Sequence, residues 1–494
     1  MINVYIDSPD TIIYKRIQYV ITQIFVPIGF PFSILRWGDK INGVLSIACV
    51  PEKALEYPLS LQKFDLVIPY GDYTQWISND ESIELEKLEG IPVLYIGRKP
   101  EFLIYDGKLG FDLISAVFYL LSRQEEYTYR HRDLWDCFAA PYSVLYEKGI
   151  LRIPIINYYI KYLESYIRQK VHDVPLPKWN NRSPYTAIIS HDLDHLPSKD
   201  ITIPLKRMFR FKGKAEFASN MLSGTKELFS LFKPSKPNWT FEYWIQKEKE
   251  YSFHSTFFVA ANTGYRHRDD PSYWIHSKLS YNSQRIPISK VTKTIEENGW
   301  EIGLHASMNT YKDRQLLSRE MDTLRKNTDC KILGIRQHYL RFDVNKTWRI
   351  HEDLGFLYDS TMGYNERIGF RAGIAFPFNP YNFENEREYN LLELSLCIMD
   401  SSLNTPVGEK LDVEKSIQRC YNIMDAVKQT SGLLVVNFHP HFYVVPYPDW
   451  WRVYEAVLKR LLEDGAWVAT AKEVAESWNE RRKNLVEFVS RYES

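Results

Sequence analysis

The chain is poor in the features that would place it outside ordinary globular proteins. Its 494 residues include five cysteines (Cys49, Cys137, Cys330, Cys397, Cys420), an odd number without any C-x-x-C spacing. That argues against both a disulfide framework and a structural zinc knuckle, and fits a reducing compartment. Twenty-two Gly and 25 Pro are too few for a fibrous or low-complexity chain. Neither sign of charge is in excess: Lys plus Arg and Asp plus Glu both total 62. No global field therefore draws nucleic acid or a membrane, and any charge preference is local. Long apolar runs are missing too. The most apolar window, residues 19–35, is broken by Thr, Gln, Gly, Ser and two prolines, and is a poor candidate for spanning a bilayer. The opening MINVYID lacks a basic stretch ahead of an apolar one and reads as a strand, not a secretion signal. The expectation is a cytoplasmic protein.

Aromatic residues are plentiful, at 15% with 34 Tyr and 13 Trp. Such rings suit large cores as well as surfaces that stack on sugars or bases. At about 100 to 200 residues per domain, the length suggests two to four domains. Residues 1–175 mix strand-like runs (4–6, 66–69, 91–96) with helical ones and are expected to form a smaller α/β domain. Within them FDLISAVFYLLSRQEEY, residues 111–127, sets Leu113, Val117, Leu120 and Leu121 at helical spacing and predicts one amphipathic helix. DVPLPKWNNRSP, residues 173–184, is turn chemistry. A linker is placed at 176–183, a second domain at 184–478 and a helical tail at 479–494.

Beyond residue 184 one pattern recurs: a helical stretch, a turn, a short apolar strand, then ionisable residues at the strand's C-terminal end. Such strands are expected at 185–190 before His191 and Asp192, at 300–304 before His305, at 332–335 before Arg336, at 356–358 before Asp359, and at 433–438 before His439. The aromatic run 255–260 is another. Strands alternating with helices favour a parallel sheet, and chemistry gathered at strand ends is what a β/α barrel provides. A doubly wound open sheet presents similar edges, so periodicity leaves that choice open.

The densest cluster is His191-Asp192-Leu193-Asp194-His195, directly after YTAIIS. Two carboxylates there are close enough for one to bind a metal while the other stays free as a base, the division of labour that hydrolysis of an unactivated amide needs. A charged loop with a helix cap is the simpler reading of those residues alone. His305, after EIGL, can be a neutral imidazole ligand. Ten of the twelve histidines fall between His191 and His441.

These residues resemble the polysaccharide deacetylases of carbohydrate esterase family 4, whose catalytic domain is a distorted β/α barrel. The resemblance spans 184–478, with motifs in the family's order. It implies that Asp192 is the catalytic base and Asp194 a metal ligand, although the two could exchange roles. STFFVAAN is similar to the family's T-F-F-V strand, and GWEIGLHASMN puts His305 in place of a metal-binding histidine. Arg336-Gln337-His338-Tyr339 resembles R-x-P-Y, whose arginine orients the catalytic aspartate. NFHPHF resembles L-x-H and makes His439 the general acid, with His441 behind it at most. The pattern departs in two places. Asn309 stands where a second histidine is usual, which leaves the third ligand open between His195, Asn309 and water; His338 replaces proline. Asp359 and Arg371 read either as rim residues or as loop braces.

The resemblance implies a divalent metal, zinc in the first instance, and removal of an N-acetyl group from an amino sugar in a glycan or lipid-linked sugar. Hydrolysis of another C–N bond, or a catalytically silent glycan-binding protein, are the alternatives. The N-terminal region, around LSRQEEY, resembles one found ahead of deacetylase domains in bacterial proteins and carries no assigned activity. Within an expected insert at 196–245, residues 196–236 hold nine Lys or Arg against three acids, a local charge of +6, interleaved with phenylalanines. A solvated helical face explains this, as does peripheral contact with the inner membrane surface. No nucleic-acid partner is expected.

Overall fold

The computed structural model describes residues 1–39, 43–56, 60–71, 83–97, 99–129, 131–195, 225, 241–262, 267, 269–271, 273–443 and 449–487. Nearly all of the expected basic insert, including residues 196–224 and 226–240, lies outside the described residues, and the membrane contact expected of it with them. Among the described residues no helix is long and apolar enough to cross a membrane.

The N-terminal part is built on a mostly parallel sheet. From one edge its strands run Phe32–Arg36, Ile2–Ile6, Leu45–Pro51 and Leu66–Tyr70, and then the hairpin of Lys108–Leu109 and Ile104–Tyr105. The runs INVYI and LVIPY are buried throughout, as strands covered on both faces must be. Helix Thr11–Ile28 starts at Asp10, whose carboxylate accepts from the Ile12 and Ile13 amides, and stops at Gly29 with φ 94°. The single helix expected over 111–127 is two. Leu113–Leu121 is buried on every side, and Gln124–Thr128 follows after Arg123, whose φ is 58°. The apolar positions all lie before the break, and the polar SRQEE at and after it gives periodicity nothing with which to mark it.

The second sheet is the curled one. Its order is Leu392–Glu393, Tyr358–Asp359, Gly334–Gln337, Glu301–Ala306, Thr256–Val259, Thr186–Asp192, Leu433–Asn437 and Ile398–Met399, every neighbour parallel. Trp467–Val468 also pairs with the start of Thr186–Asp192. The two edge strands are consecutive in the chain, joined by residues 394–397 alone. Such a link reaches at most about 17 Å, whereas the edges of a flat eight-stranded sheet stand about 34 Å apart. The sheet therefore has to curl, which decides between barrel and open sheet in favour of the barrel.

One apolar cluster runs from the N-terminal sheet into barrel residues such as Ile188, Phe258, Tyr358 and Val435. Residues 176–183 are mostly exposed but anchored by Trp179, which is buried, stacks on Trp478 with centroids 5.2 Å apart, and donates its indole N–H to the Ser431 carbonyl. The helix expected from residue 479 spans Ala471–Leu485, opened by a capping box of Thr470 and Glu473. The chain then adds a short strand, Val486–Glu487, to the edge of the N-terminal sheet beside Phe32 and Ser33.

Candidate active site

Strand register assembles the site at the C-terminal mouth of the barrel. Thr186–Asp192 pairs with Leu433–Asn437 so that Ser190 lies beside Asn437, and Glu301–Ala306 pairs with Gly334–Gln337 so that His305 lies beside Arg336. The two-residue period of extended chain then turns Ser190 and Asp192 to one face, and does the same for Asn437 and His439. The structure thus brings Asp192, Asp194, His305, Arg336 and His439 together.

Asp192 is buried, and each of its carboxylate oxygens accepts one side-chain hydrogen bond. Arg336 Nη1 donates to its Oδ1 at 3.0 Å, and Asn437 Nδ2 to its Oδ2 at 2.8 Å. Arg336 is itself fixed by Ser190 Oγ, the Ser360 carbonyl and Ser360 Oγ, with Phe258 beneath its guanidinium at 4.3 Å. Burial alone would raise the Asp192 pKa; Arg336 first, then His305 and His439, hold it below the usual carboxylate range.

Asp194, His305 and His338 present ligand atoms that all lie within 4.8 Å of one another. His305 Nδ1 donates to the Arg336 carbonyl at 3.1 Å, which turns Nε2 toward Asp194 Oδ1, 3.0 Å away. His338 Nε2 is 3.4 Å from the same oxygen. Its Nδ1 is buried with no hydrogen-bond partner among the described residues. Burial lowers the His338 pKa to about 3, so the ring is neutral and one of its two nitrogens has a lone pair available. Burial raises the pKa of Asp194, but His338 and the hydrogen bond from His305 bring it well below the ordinary value. Two imidazoles and a carboxylate, one ring oriented by a backbone carbonyl, fit a divalent ion such as zinc with a position left open.

His439 closes the other side. Its Nε2 lies 3.6 Å from Asp194 Oδ2 and 3.9 Å from Asp192 Oδ2. Its Nδ1 donates to Asp400 Oδ1 at 2.6 Å, and its backbone N–H to Asp400 Oδ2 at 2.7 Å. Burial opposes a charged ring here, but Asp400, with Asp194 and Asp192 behind it, lifts the pKa to about 9.

The other expected residues stand elsewhere. Asn309 is exposed and its Oδ1 accepts from Arg341 at 3.4 Å, so its oxygen is committed to a guanidinium. His195 is exposed, with its ring 4.8 Å from that of His441, and is not part of the three-residue group. His338, from the third motif, is the residue that stands with Asp194 and His305 in that group. Asp359 and Arg371 are braces: Asp359 accepts from Thr361 and faces His351, and Arg371 forks onto Glu126. Sequence reasoning missed Asp400, Asn437, Ser190 and Ser360. Ser190 and Asn437, two residues before Asp192 and His439, could have been found by alternation; Asp400 and Ser360 lie in unremarkable local sequence.

Residues 4–172 match the model of a family of unknown function, DUF7033. None of the curated proteins matches the chain. Among solved structures, the chain is similar to a probable polysaccharide deacetylase from Pseudomonas aeruginosa PAO1, at 14% identity over 62% of this chain and 95% of that one, with a TM-score of 0.40. It is also similar to Puue allantoinase, at 12% identity over 62% and 94%, with a TM-score of 0.38. A third is the peptidoglycan deacetylase PdaC from Bacillus subtilis, at 12% identity over 61% and 95%, with a TM-score of 0.25.

Proposed function

We propose that the protein is a metal-dependent hydrolase that removes an N-acetyl group from an amino sugar within a glycan or glycolipid. One observation carries the reading: an ionised, arginine-bound Asp192 and a His439 backed by Asp400 flank the Asp194–His305–His338 group from two sides. Asp194, His305 and His338 would hold the ion. When bound, a divalent ion there supplies acidified water and polarises the amide carbonyl.

The chain's own groups supply the proton traffic. Asp192 Oδ2 accepts a proton from the attacking water, while Arg336 and Asn437 keep the carboxylate ionised and fixed in orientation. His439 Nε2 delivers a proton to the amide nitrogen as the C–N bond breaks, because an amine leaves only when protonated. Asp400 holds the other ring proton on Nδ1, so that the proton given up is the one on Nε2. The products are acetate and a free amino sugar.

The test is acetate release from a panel of N-acetylhexosamine oligosaccharides by the zinc-loaded protein and by Asp192→Asn. Turnover in the native protein, reduced about a hundredfold or more in the variant, supports the proposal. Equal release by both forms, or none by either, overturns it.

A further inference from the structure

The turn that carries His338 is made by residues that resist it. Tyr339 and Leu340 have φ of 57° and 52°, in the left-handed region, where a side chain costs about 1–2 kcal/mol per residue. Such backbone persists only where its surroundings over-determine it. One restraint comes from the barrel: Asn365 Nδ2 donates to the Tyr339 carbonyl at 2.8 Å.

The other restraints come from residues 133–137, within the segment that matches the family of unknown function. The Trp135 indole stacks on the Tyr339 ring with centroids 5.2 Å apart and planes 14° from parallel. The Trp135 carbonyl accepts from Arg341 Nε at 2.7 Å, and the Cys137 thiol faces the Tyr339 and Leu340 carbonyls at 3.5 and 3.4 Å. This loop is held in shape by Asp133, whose Oδ1 accepts from the Trp135 and Cys137 amides. It also reaches the loop after His305. Asp136 Oδ2 accepts from Tyr311 and pairs with Lys312 at 2.9 Å, and Arg341 donates to the Met308 carbonyl. A single N-terminal loop thus touches both the loop after the strand bearing His305 and the turn that holds His338.

We infer that residues 133–137 position the metal ligands, with Trp135 clamping the left-handed turn that sets His338 against Asp194. The N-terminal segment then completes the site of the barrel without touching substrate: Trp135 and Tyr339 are positioning residues. This rests on the reading that Asp194, His305 and His338 hold a divalent ion.

The experiment measures zinc affinity of the full chain by competition with a chromophoric chelator, for the native protein, His338→Ala, Trp135→Ala, Trp135→Leu and Trp135→Phe, with unfolding temperatures of the metal-free forms alongside. The expected result is a loss of about tenfold or more in zinc affinity for Trp135→Ala and Trp135→Leu, and a return to within about threefold of native for Trp135→Phe, which restores the stacked face. A loss of folding would lower the metal-free unfolding temperature of all three Trp135 variants and would not be rescued by Phe alone. Should Trp135→Ala fail to fold, Trp135→Leu decides. Native affinity in Trp135→Leu with weakened binding in His338→Ala overturns the clamp and leaves the ligand assignment standing. Native affinity in His338→Ala overturns the ligand assignment and the clamp with it.

Discussion

His338 Nε2 stands 3.4 Å from Asp194 Oδ1, so an imidazole reaches the carboxylate from the strand next to the one that carries His305. Because His305 and Arg336 are register partners, a residue two beyond Arg336 arrives at the same mouth as a residue on the His305 loop. Asn309, on the loop after His305, is exposed and meets Arg341 instead of Asp194. Asn309→Ala is therefore expected to behave as a surface substitution, changing zinc affinity by no more than about 0.5 kcal/mol, or roughly twofold. Calorimetric titration with zinc checks this, and a tenfold loss would return Asn309 to the ligand set.

Asp400 accepts two hydrogen bonds that only a carboxylate can accept together, from His439 Nδ1 and from the His439 backbone N–H. An asparagine offers one acceptor and one donor, so Asp400→Asn leaves either the ring or the backbone opposite an N–H. The expected outcome is a fall in kcat of about 100-fold or more with KM changed only a few-fold, since Asp400 acts through the ring and not on the substrate. Steady-state acetate release over a range of substrate concentrations separates the two constants.

The contrast between Asp192 and Asp400 shows what could be read from the chain. Asp192, His305, Arg336 and His439 each lie within two residues of the end of a buried strand of four to seven residues, long enough with its flanks to leave a visible run followed by polar residues. Asp400 follows Ile398–Met399, a strand of two residues, too short to leave a pattern. His338 was visible as a departure from the expected proline, but its use depends on a left-handed turn for which Tyr339 and Leu340 give no local signal. Curling of the sheet was implied by the family resemblance but illegible in the periodicity, because it follows from which strands lie at the edges, a property of pairing across the whole domain.

Glu126 is shared by two buried guanidinium groups. Arg123 Nε donates to its Oε1 at 2.8 Å, and Arg371 Nε and Nη2 donate to Oε1 and Oε2 at 3.0 and 2.7 Å. Arg123 also reaches the Arg371 carbonyl and Glu125, which ties the LSRQEEY segment to the loop after Tyr358–Asp359. The charges of Arg371 and Arg123 outweigh burial and keep the Glu126 pKa below its ordinary value. Glu126→Gln leaves two buried cations with one carboxylate, Glu125, and is expected to cost about 3–5 kcal/mol. Chemical denaturation at pH 7 measures it; a cost below about 1 kcal/mol, the value of an exposed pair, would show that the cluster is solvated.

Glu320 supplies the pH dependence. It lies on helix Arg314–Thr328 and accepts from the Ser307 amide at 3.0 Å and from Ser307 Oγ at 2.5 Å, immediately after the strand Glu301–Ala306. Burial raises its pKa from 4.5 to about 7, against the pull of those hydrogen bonds. The native state therefore binds this proton more tightly than the unfolded chain does. The stabilisation is complete below about pH 4.5 and is lost as pH rises through about 7, an amount near 3 kcal/mol at about 1.4 kcal/mol per pKa unit. Glutamine copies the neutral acid: its carbonyl oxygen can accept from the Ser307 amide and its NH2 can donate to Ser307 Oγ. Glu320→Gln is accordingly expected to match the native protein near pH 4.5 and to exceed its stability by up to about 3 kcal/mol above pH 7. Urea denaturation of both forms at intervals from pH 4.5 to 8 measures the difference, and two curves that stay parallel would mean that Glu320 titrates alike in the folded and unfolded chains.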